Sequence, residues 1–399
     1  MARLARYQLL RTRLHSLPEP SAQERERTRD VEALIGASID AAGGCLAFDR
    51  FMELALYAPG LGYYAGGAVK FGAQGDFVTA PELGSLFGRC VARQCAEVLD
   101  VAGGGSVLEF GAGSGALCRQ ILECLAELGA LPDRYLILET SADLRGCQEK
   151  VVAGLPDVLS RRVEWLERPP DSPLTGAVVA NEVLDAMPVT RFRVTDDGYA
   201  VLGVRRNEAG FAWCETAPKR AHREIASLVE RHALPSGYVS EYNPRAAAWM
   251  AQLSGWLERG AAFIVDYGYP ASEYYHHERA SGTLKCFFHH AAHDDPLRLA
   301  GVQDITAHVD FSALAGAARA AELDVMGFVN QASFLVGAGL MDDLARAAEK
   351  PESQLALANE VKRLTLPGEM GETFKVLAVG RGLSVAPGAF KDNDRSHVL

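Results

Sequence analysis

Between residues 106 and 128 the chain reads SVLEFGAGSGALCRQILECLAEL: an apolar strand, three glycines at alternate positions, then an amphipathic helix. Glycines at 111, 113 and 115 let the backbone turn sharply and approach a bound group with no Cβ in the way. The helix that follows carries Leu117, Ile121, Leu125 and Leu128 on one face, the spacing of a helix packed on a sheet. A strand passing through such a turn into a helix is the opening unit of an open α/β sheet, and ligands of these sheets lie at the carboxyl ends of the strands.

As spelled, GAGSGA also satisfies G-x-G-x-x-A, so a dinucleotide and S-adenosylmethionine (SAM) are rival ligands. Three features favour SAM. Glu109 lies two residues before the first glycine, where an acid suits the amino-acid end of SAM and would repel a pyrophosphate. Glu139 ends the next strand, thirty positions on, where a carboxylate takes the two ribose hydroxyls of either cofactor. About a hundred residues precede the loop, whereas a dinucleotide fold more often starts near the N-terminus.

Further strands follow in RYLILE, RVEWLE, AVVANE and AAFIVDYG, separated by helical stretches, with a helix around 244–258. Short apolar strands alternating with helices predict a parallel sheet covered on both faces. LDVMGFVNQ and FKVLAVGRG read as a closing strand pair. The segment 189–217 alternates in period two around DDG and NEAG turns, which predicts a β-meander. Residues 268–312, rich in His, Tyr and Gly, show no periodicity. The organisation expected is an N-terminal helical and lid region (1–100), a core (101–380) with insertions at about 189–240 and 268–312, and a tail (381–399). Within the first region, two helical stretches flank the LPEPS turn, and a Gly- and Pro-rich loop over 59–75 carries tyrosines and phenylalanines.

The formal charge of -11 argues against nucleic acid, whose phosphates require clustered Lys and Arg. No stretch is apolar for long enough to span a membrane. The eight cysteines show no CxxC pair or framework spacing and read as reduced thiols. Arg3, Arg6, Arg11 and Arg13 precede the first acid, Glu19, as in a mitochondrial transit peptide; the favoured reading is an amphipathic first helix of a bacterial protein. The expected location is the cytoplasm, or the mitochondrial matrix if the chain is eukaryotic.

The richest chemistry is in VVANEVLDAMPV, residues 178–189, an apolar strand ending in Asn181, Glu182 and Asp185. The two acids are at i and i+3 and share a face if a helix or turn starts there. Alternatively Asp185 caps the turn before Met187-Pro188, and Glu182 is structural. In GDFVTAPEL, Asp76, Thr79 and Glu82 read as a lid over the cofactor, a capping box from Thr79 to Glu82 explaining the same spacing. Asp266 and Tyr267 end another strand on the substrate side, or Asp266 is a plain cap. Histidines 276, 277, 289, 290 and 293 lack metal-ligand spacing, so no metal is expected.

Several segments together resemble the MidA family: GYY, GDFVTAPELGSLFG, LEFGAGSG, ANEVLDAMPV, VDYGY, GTLKCFFHHAAHDD and QDITAHVDF, in that order from about Phe48 to Gly380. The resemblance implies a class I methyltransferase fold, a Rossmann-like seven-stranded α/β sheet, here with an N-terminal helical extension and inserted β-meander and irregular segments. It also implies SAM as cofactor and N-methylation of an arginine in a protein substrate, a subunit of respiratory complex I, in support of its assembly. A non-catalytic, SAM-binding assembly chaperone is the alternative, and a homodimer is left open. Carried over, Gly111, Gly113 and Gly115 stand in the cofactor loop, Glu139 at the ribose, and Glu182 and Asp185 in the motif after the fourth strand; from their own positions, Glu109, Asp76 and Thr79 are read as further cofactor contacts. Guanidinium stays protonated, with a pKa above about 12, so carboxylates are needed to grip it and a base to take a proton. Glu182 and Asp185 are the expected grip. Asn181 serves the cofactor's amino-acid end or the substrate, Glu241 is a further guanidinium contact, and His290 (or His293) a proton acceptor. Tyr63 and Tyr64 wall an arginine channel or anchor their loop.

Overall fold

A computed structural model describes residues 17–66, 79–347 and 354–399. Its centre is one sheet whose main path has seven strands: β1 (Ser106–Phe110), β2 (Tyr135–Leu138), β3 (Val163–Leu166), β4 (Leu174–Asn181), β5 (Leu257–Tyr269), β6 (Asp324–Asn330) and β7 (Phe374–Arg381). Their order is β6-β7-β5-β4-β1-β2-β3. All neighbours are parallel except β7, which runs against both β5 and β6. This is the seven-stranded sheet expected from the sequence. The chain steps from β1 outward to β3, then returns beside β1 with β4, so the order reverses there and leaves a crevice at the strands' carboxyl ends.

Both sheet faces are covered, which explains why the strands read as apolar runs. Along β4 and β5, Ala177, Val179, Phe263 and Val265 point into one core with the helices Leu86–Ala102 and Ala116–Glu127. Val178, Ala180, Ala262 and Ile264 point into the other, with the helices Pro244–Trp256 and Phe311–Ala320. The path is tight where β1, β4 and β5 meet. A Cβ on Gly176, at φ +134, would stand 2.0 Å from the carbonyl oxygen of Ser106, and one on Gly260 1.8 Å from that of Gly176.

Above the carboxyl edge sits a cap built from the insertions and the N-terminal region. The meander expected at 189–217 is there, as Thr190–Thr195, Gly198–Asn207 and Gly210–Thr216, extended by Val239–Tyr242 on one side and Leu46–Ala47 on the other. The segment 268–312, which shows no periodicity, contains a small antiparallel sheet of Lys285–Phe288, Ala291–His293 and Asp304–Thr306. Such short strands, one to four residues from the next turn, leave no room for an alternation to show. Phe48, Phe51 and Met52 of helix Phe48–Tyr57 join Val204 of the meander and Ile305 of the small sheet in one core. Of the two helical stretches read before residue 45, the second is Ala22–Ala41, capped by Ser21; the first falls on residues 1–16, outside the described ones.

The cysteine reading needs one correction. Cys45 and Cys214 are bonded, 6.4 Å apart at Cα and 169 residues apart in sequence. Leu46–Ala47 pairs with Val204 and Gly203, and Gly203 in turn opposes Cys214, so neighbouring strands bring the two sulfurs together. The other six are free thiols.

Gly176→Ala should force β1 and β4 apart and lower stability by at least ~2 kcal/mol, read as a shifted denaturant midpoint. An unchanged midpoint would mean that this close approach is not a constraint on the sheet.

Candidate functional site

A cavity of about 590 Å³ lies over the carboxyl ends of β1, β2, β4 and β5, between the sheet and the cap. The sheet edge contributes Glu109, the glycine loop, Glu139, Asn181, Glu182, Asp185 and Tyr267, and the cap contributes Tyr57, Tyr64, Phe287, Asp304 and Thr306. Among the described residues, six carboxylates line it (Glu82, Glu109, Glu139, Glu182, Asp185 and Asp304) and no Lys, Arg or His does. Such a cavity attracts cations and repels anions.

Gly111, Gly113 and Gly115 all have left-handed φ, +62°, +54° and +87°. A Cβ on Gly115 would also press on Gln148, 3.2 Å from its Cα. Gln148 itself was not foreseen: its Nε2 donates to the Gly113 carbonyl and to Glu139 Oε2, both at 3.0 Å, and its Oε1 accepts from Trp165 Nε1 at 3.0 Å. The buried amide thus fixes the loop against the acid at the end of β2. Glu139 Oε1 accepts the Ser141 N–H at 2.8 Å. Behind the loop Glu109 accepts from the Tyr135 hydroxyl at 2.7 Å.

At the end of β4 the chain does not enter a helix. Glu182 adopts φ +54, unusual outside glycine, and the next residues form a turn. Asp266 at the end of β5 holds that turn, its Oδ2 accepting the N–H groups of Leu184 at 2.9 Å and Asp185 at 3.2 Å. Glu182 accepts from Asn181 Nδ2 at 3.2 Å and from the Tyr267 hydroxyl at 3.4 Å. Asn181 Oδ1 is buried without a hydrogen-bond partner, an acceptor held open beside the cavity.

Thr79 and Glu82 also line the cavity, but the capping box read from their spacing is not formed. Thr79 caps helix Ala80–Leu83 without a side-chain bond, because Glu82 is engaged by the Ser114 hydroxyl of the glycine loop. Asp76 lies outside the described residues. Two catalytic candidates are displaced. Glu241 is buried away from the cavity, paired with Arg191 at 3.3 Å and accepting from the Thr283 N–H at 2.7 Å, so it braces the meander against the 283 segment. His290 occupies the exposed turn between Lys285–Phe288 and Ala291–His293, at φ +61, and does not line the cavity. Of the tyrosine pair, Tyr64 lines the cavity while Tyr63 is buried in the cap core. Tyr57 and Asp304 were not foreseen; both are brought in by cap elements far away in sequence.

Burial without a cation raises these acids. It pushes Glu109 up to about 7 and Glu182 to about 8, the latter aided by the neighbouring Asp266. Asp185 is raised well above the carboxylate range by burial, then by Asp266 and Asp304. Asp266 is pushed by burial to about 7 although backbone N–H groups pull it down. An acid raised from its ordinary 4.5 holds a proton in the folded state that the unfolded chain has released. Its stabilising contribution is therefore full below the unfolded pKa and is lost as pH rises through the folded one. The melting temperature should fall between about pH 5 and about pH 8, and less steeply in Glu182→Gln. Equal slopes in the two proteins would contradict the assignment.

Over residues 90–329 the chain matches the family described as "Putative S-adenosyl-L-methionine-dependent methyltransferase". It is 26% identical over 388 residues to the human mitochondrial protein arginine methyltransferase NDUFAF7, covering 88% of this chain and 84% of that protein. To the Drosophila melanogaster homologue it is 27% identical over 407 residues, covering 92% and 89%. The crystal structure of a methyl transferase candidate from Burkholderia thailandensis, bound to S-adenosyl-homocysteine, superposes with a TM-score of 0.92 at 43% identity, covering 96% of this chain and all of that one. With the sheet order, the glycine loop and the acid-lined cavity, these likenesses show that the chain belongs to this family of SAM-dependent methyltransferases.

Proposed function

We propose that this protein methylates an arginine side chain of a protein substrate, a subunit of respiratory complex I, with SAM as donor, in the cytoplasm of a bacterium. The observation that carries the reading is the cavity wall: among the described residues, six acids and no Lys, Arg or His. Donor and acceptor are both cations, and two cations meet readily only where the surrounding charge is negative. A dinucleotide phosphate would face the same carboxylates at a cost.

The residues present fit the cofactor. The left-handed glycine loop leaves room beneath it, Glu109 and the open Asn181 Oδ1 suit an ammonium group, and Glu139 suits a diol. When bound, SAM supplies an electrophilic methyl on a sulfonium. The chain's own task is then to hold the acceptor nitrogen in line and keep water out. Glu182 and Asp185, on the turn held by Asp266, grip the guanidinium and draw its charge toward some nitrogens, leaving another with usable electron density. Glu182, ionised beside the bound cations, takes up the proton that the methylated nitrogen sheds. The complex I subunit as target rests on the MidA resemblance; the names of the mitochondrial relatives support protein arginine as the acceptor.

Glu182→Gln keeps the shape and removes the charge. Methyl transfer should fall by at least about a hundredfold, while calorimetry gives a SAM affinity near that of wild type. Full activity in the variant would refute the clamp. A wild type that binds SAM but transfers no methyl would favour an assembly chaperone.

A further inference from the structure

Glu182 and Asp185 stand on the sheet side of the cavity; the opposite wall, formed by the cap, also carries a carboxylate, Asp304. It is 2% exposed, and its Oδ1 accepts from the Tyr64 hydroxyl at 3.0 Å. Strand Asp304–Thr306 is tied to the sheet side directly: the Ala307 N–H donates to the Asp185 carbonyl at 2.9 Å. Acids on facing walls are therefore joined by backbone and cannot drift apart independently. Beside them Tyr57 and Tyr64 stack, ring centroids 5.4 Å apart and planes 20° from parallel. The Tyr57 hydroxyl donates to the Ala186 carbonyl at 2.9 Å, so each ring of the pair is pinned, one to the sheet-side turn and one to Asp304.

This arrangement matches one kind of cation. An ammonium group is compact and is satisfied by a single cluster of acceptors. A guanidinium is planar, with donors along its edges and flat faces, and it stacks on aromatic rings. Acceptors on two sides and a pinned aromatic slab suit the second shape. Resting on the arginine reading above, we propose that Asp304 binds the substrate guanidinium from the cap side and, with the Tyr57–Tyr64 pair, selects arginine over lysine. Burying this acid near Glu182 and Asp185 raises both of them, a cost that a bound cation relieves.

A purely structural role for Asp304 would be to brace Tyr64, and isosteric substitution separates the two. Asp304→Asn keeps an oxygen for the Tyr64 hydroxyl and removes the charge; Tyr64→Phe removes the hydroxyl and keeps the charge. The acceptors are peptides covering the arginines of the complex I subunits, with a lysine-substituted copy of each, and the donor is methyl-labelled SAM. For the arginine peptide that wild type labels, Asp304→Asn should raise KM by at least about tenfold and narrow the preference over its lysine copy, with kcat and SAM affinity changed by no more than about twofold. Tyr64→Phe should have the smaller effect on KM. If Asp304→Asn leaves KM as it was while Tyr64→Phe raises it, Asp304 is only a brace and the inference fails alone. If wild type labels no arginine peptide, the arginine reading fails and this inference falls with it.

Discussion

The site depends on a buried carboxylate that need not touch a substrate. Asp266, at the end of β5, spends both oxygens on main-chain N–H groups: Leu184 and Asp185 on Oδ2, Tyr267 on Oδ1 at 2.9 Å. Those bonds fold the exit of β4 into a turn instead of a helix. The turn in turn sets Glu182 at a left-handed φ and brings Asp185 beside it in the cavity wall. Strain at Glu182 is tolerated because its surroundings fix it from several sides: its N–H donates to the Val265 carbonyl at 2.9 Å, and Asn181 and Tyr267 reach its carboxylate.

The cap completes what the sheet begins. Without it, the acids of β1, β2 and β4 would face water and lose most of their mutual influence. Helix Phe48–Tyr57, the meander and the small 285–306 sheet share one apolar core, so Tyr57, Tyr64 and Asp304 arrive as a unit. The Cys45–Cys214 bond and the Arg191–Glu241 pair brace that unit at two further points. The result is a set of acids enclosed between sheet and cap, with the glycine loop and the Glu182–Asp185 turn at the ends of neighbouring strands.

Much of this was legible in the sequence because it is local. A strand, alternate glycines and a helix specify the glycine loop; period and length specify the sheet; the acids of LEFGAGSG, LILET and ANEVLD fall at strand ends, where an open sheet must place its ligands. What was not legible is long-range. Glu241 reads like a guanidinium contact because an acid beside a strand looks the same whether it meets a substrate or, as here, Arg191. His289 and His290 suggest chemistry by composition alone, and a hairpin turn takes them to the surface. Thr79 and Glu82 have the spacing of a capping box, yet Ser114, 32 residues further on, engages Glu82 first. Asp304 and the Cys45–Cys214 bond depend on strand pairings in the cap, which no local pattern announces. Gln148 lies in an ordinary helix and shows its role only when that helix docks on the glycine loop.

The central claim is that the acid-walled cavity delivers a methyl group to a guanidinium. It is tested most directly by incubating the purified protein and methyl-labelled SAM with extract from cells lacking this gene, then locating the label by mass spectrometry. The expected result is label on the side-chain nitrogens of an arginine, in a complex I subunit. Label confined to lysines, carboxylates or small molecules would contradict the claim.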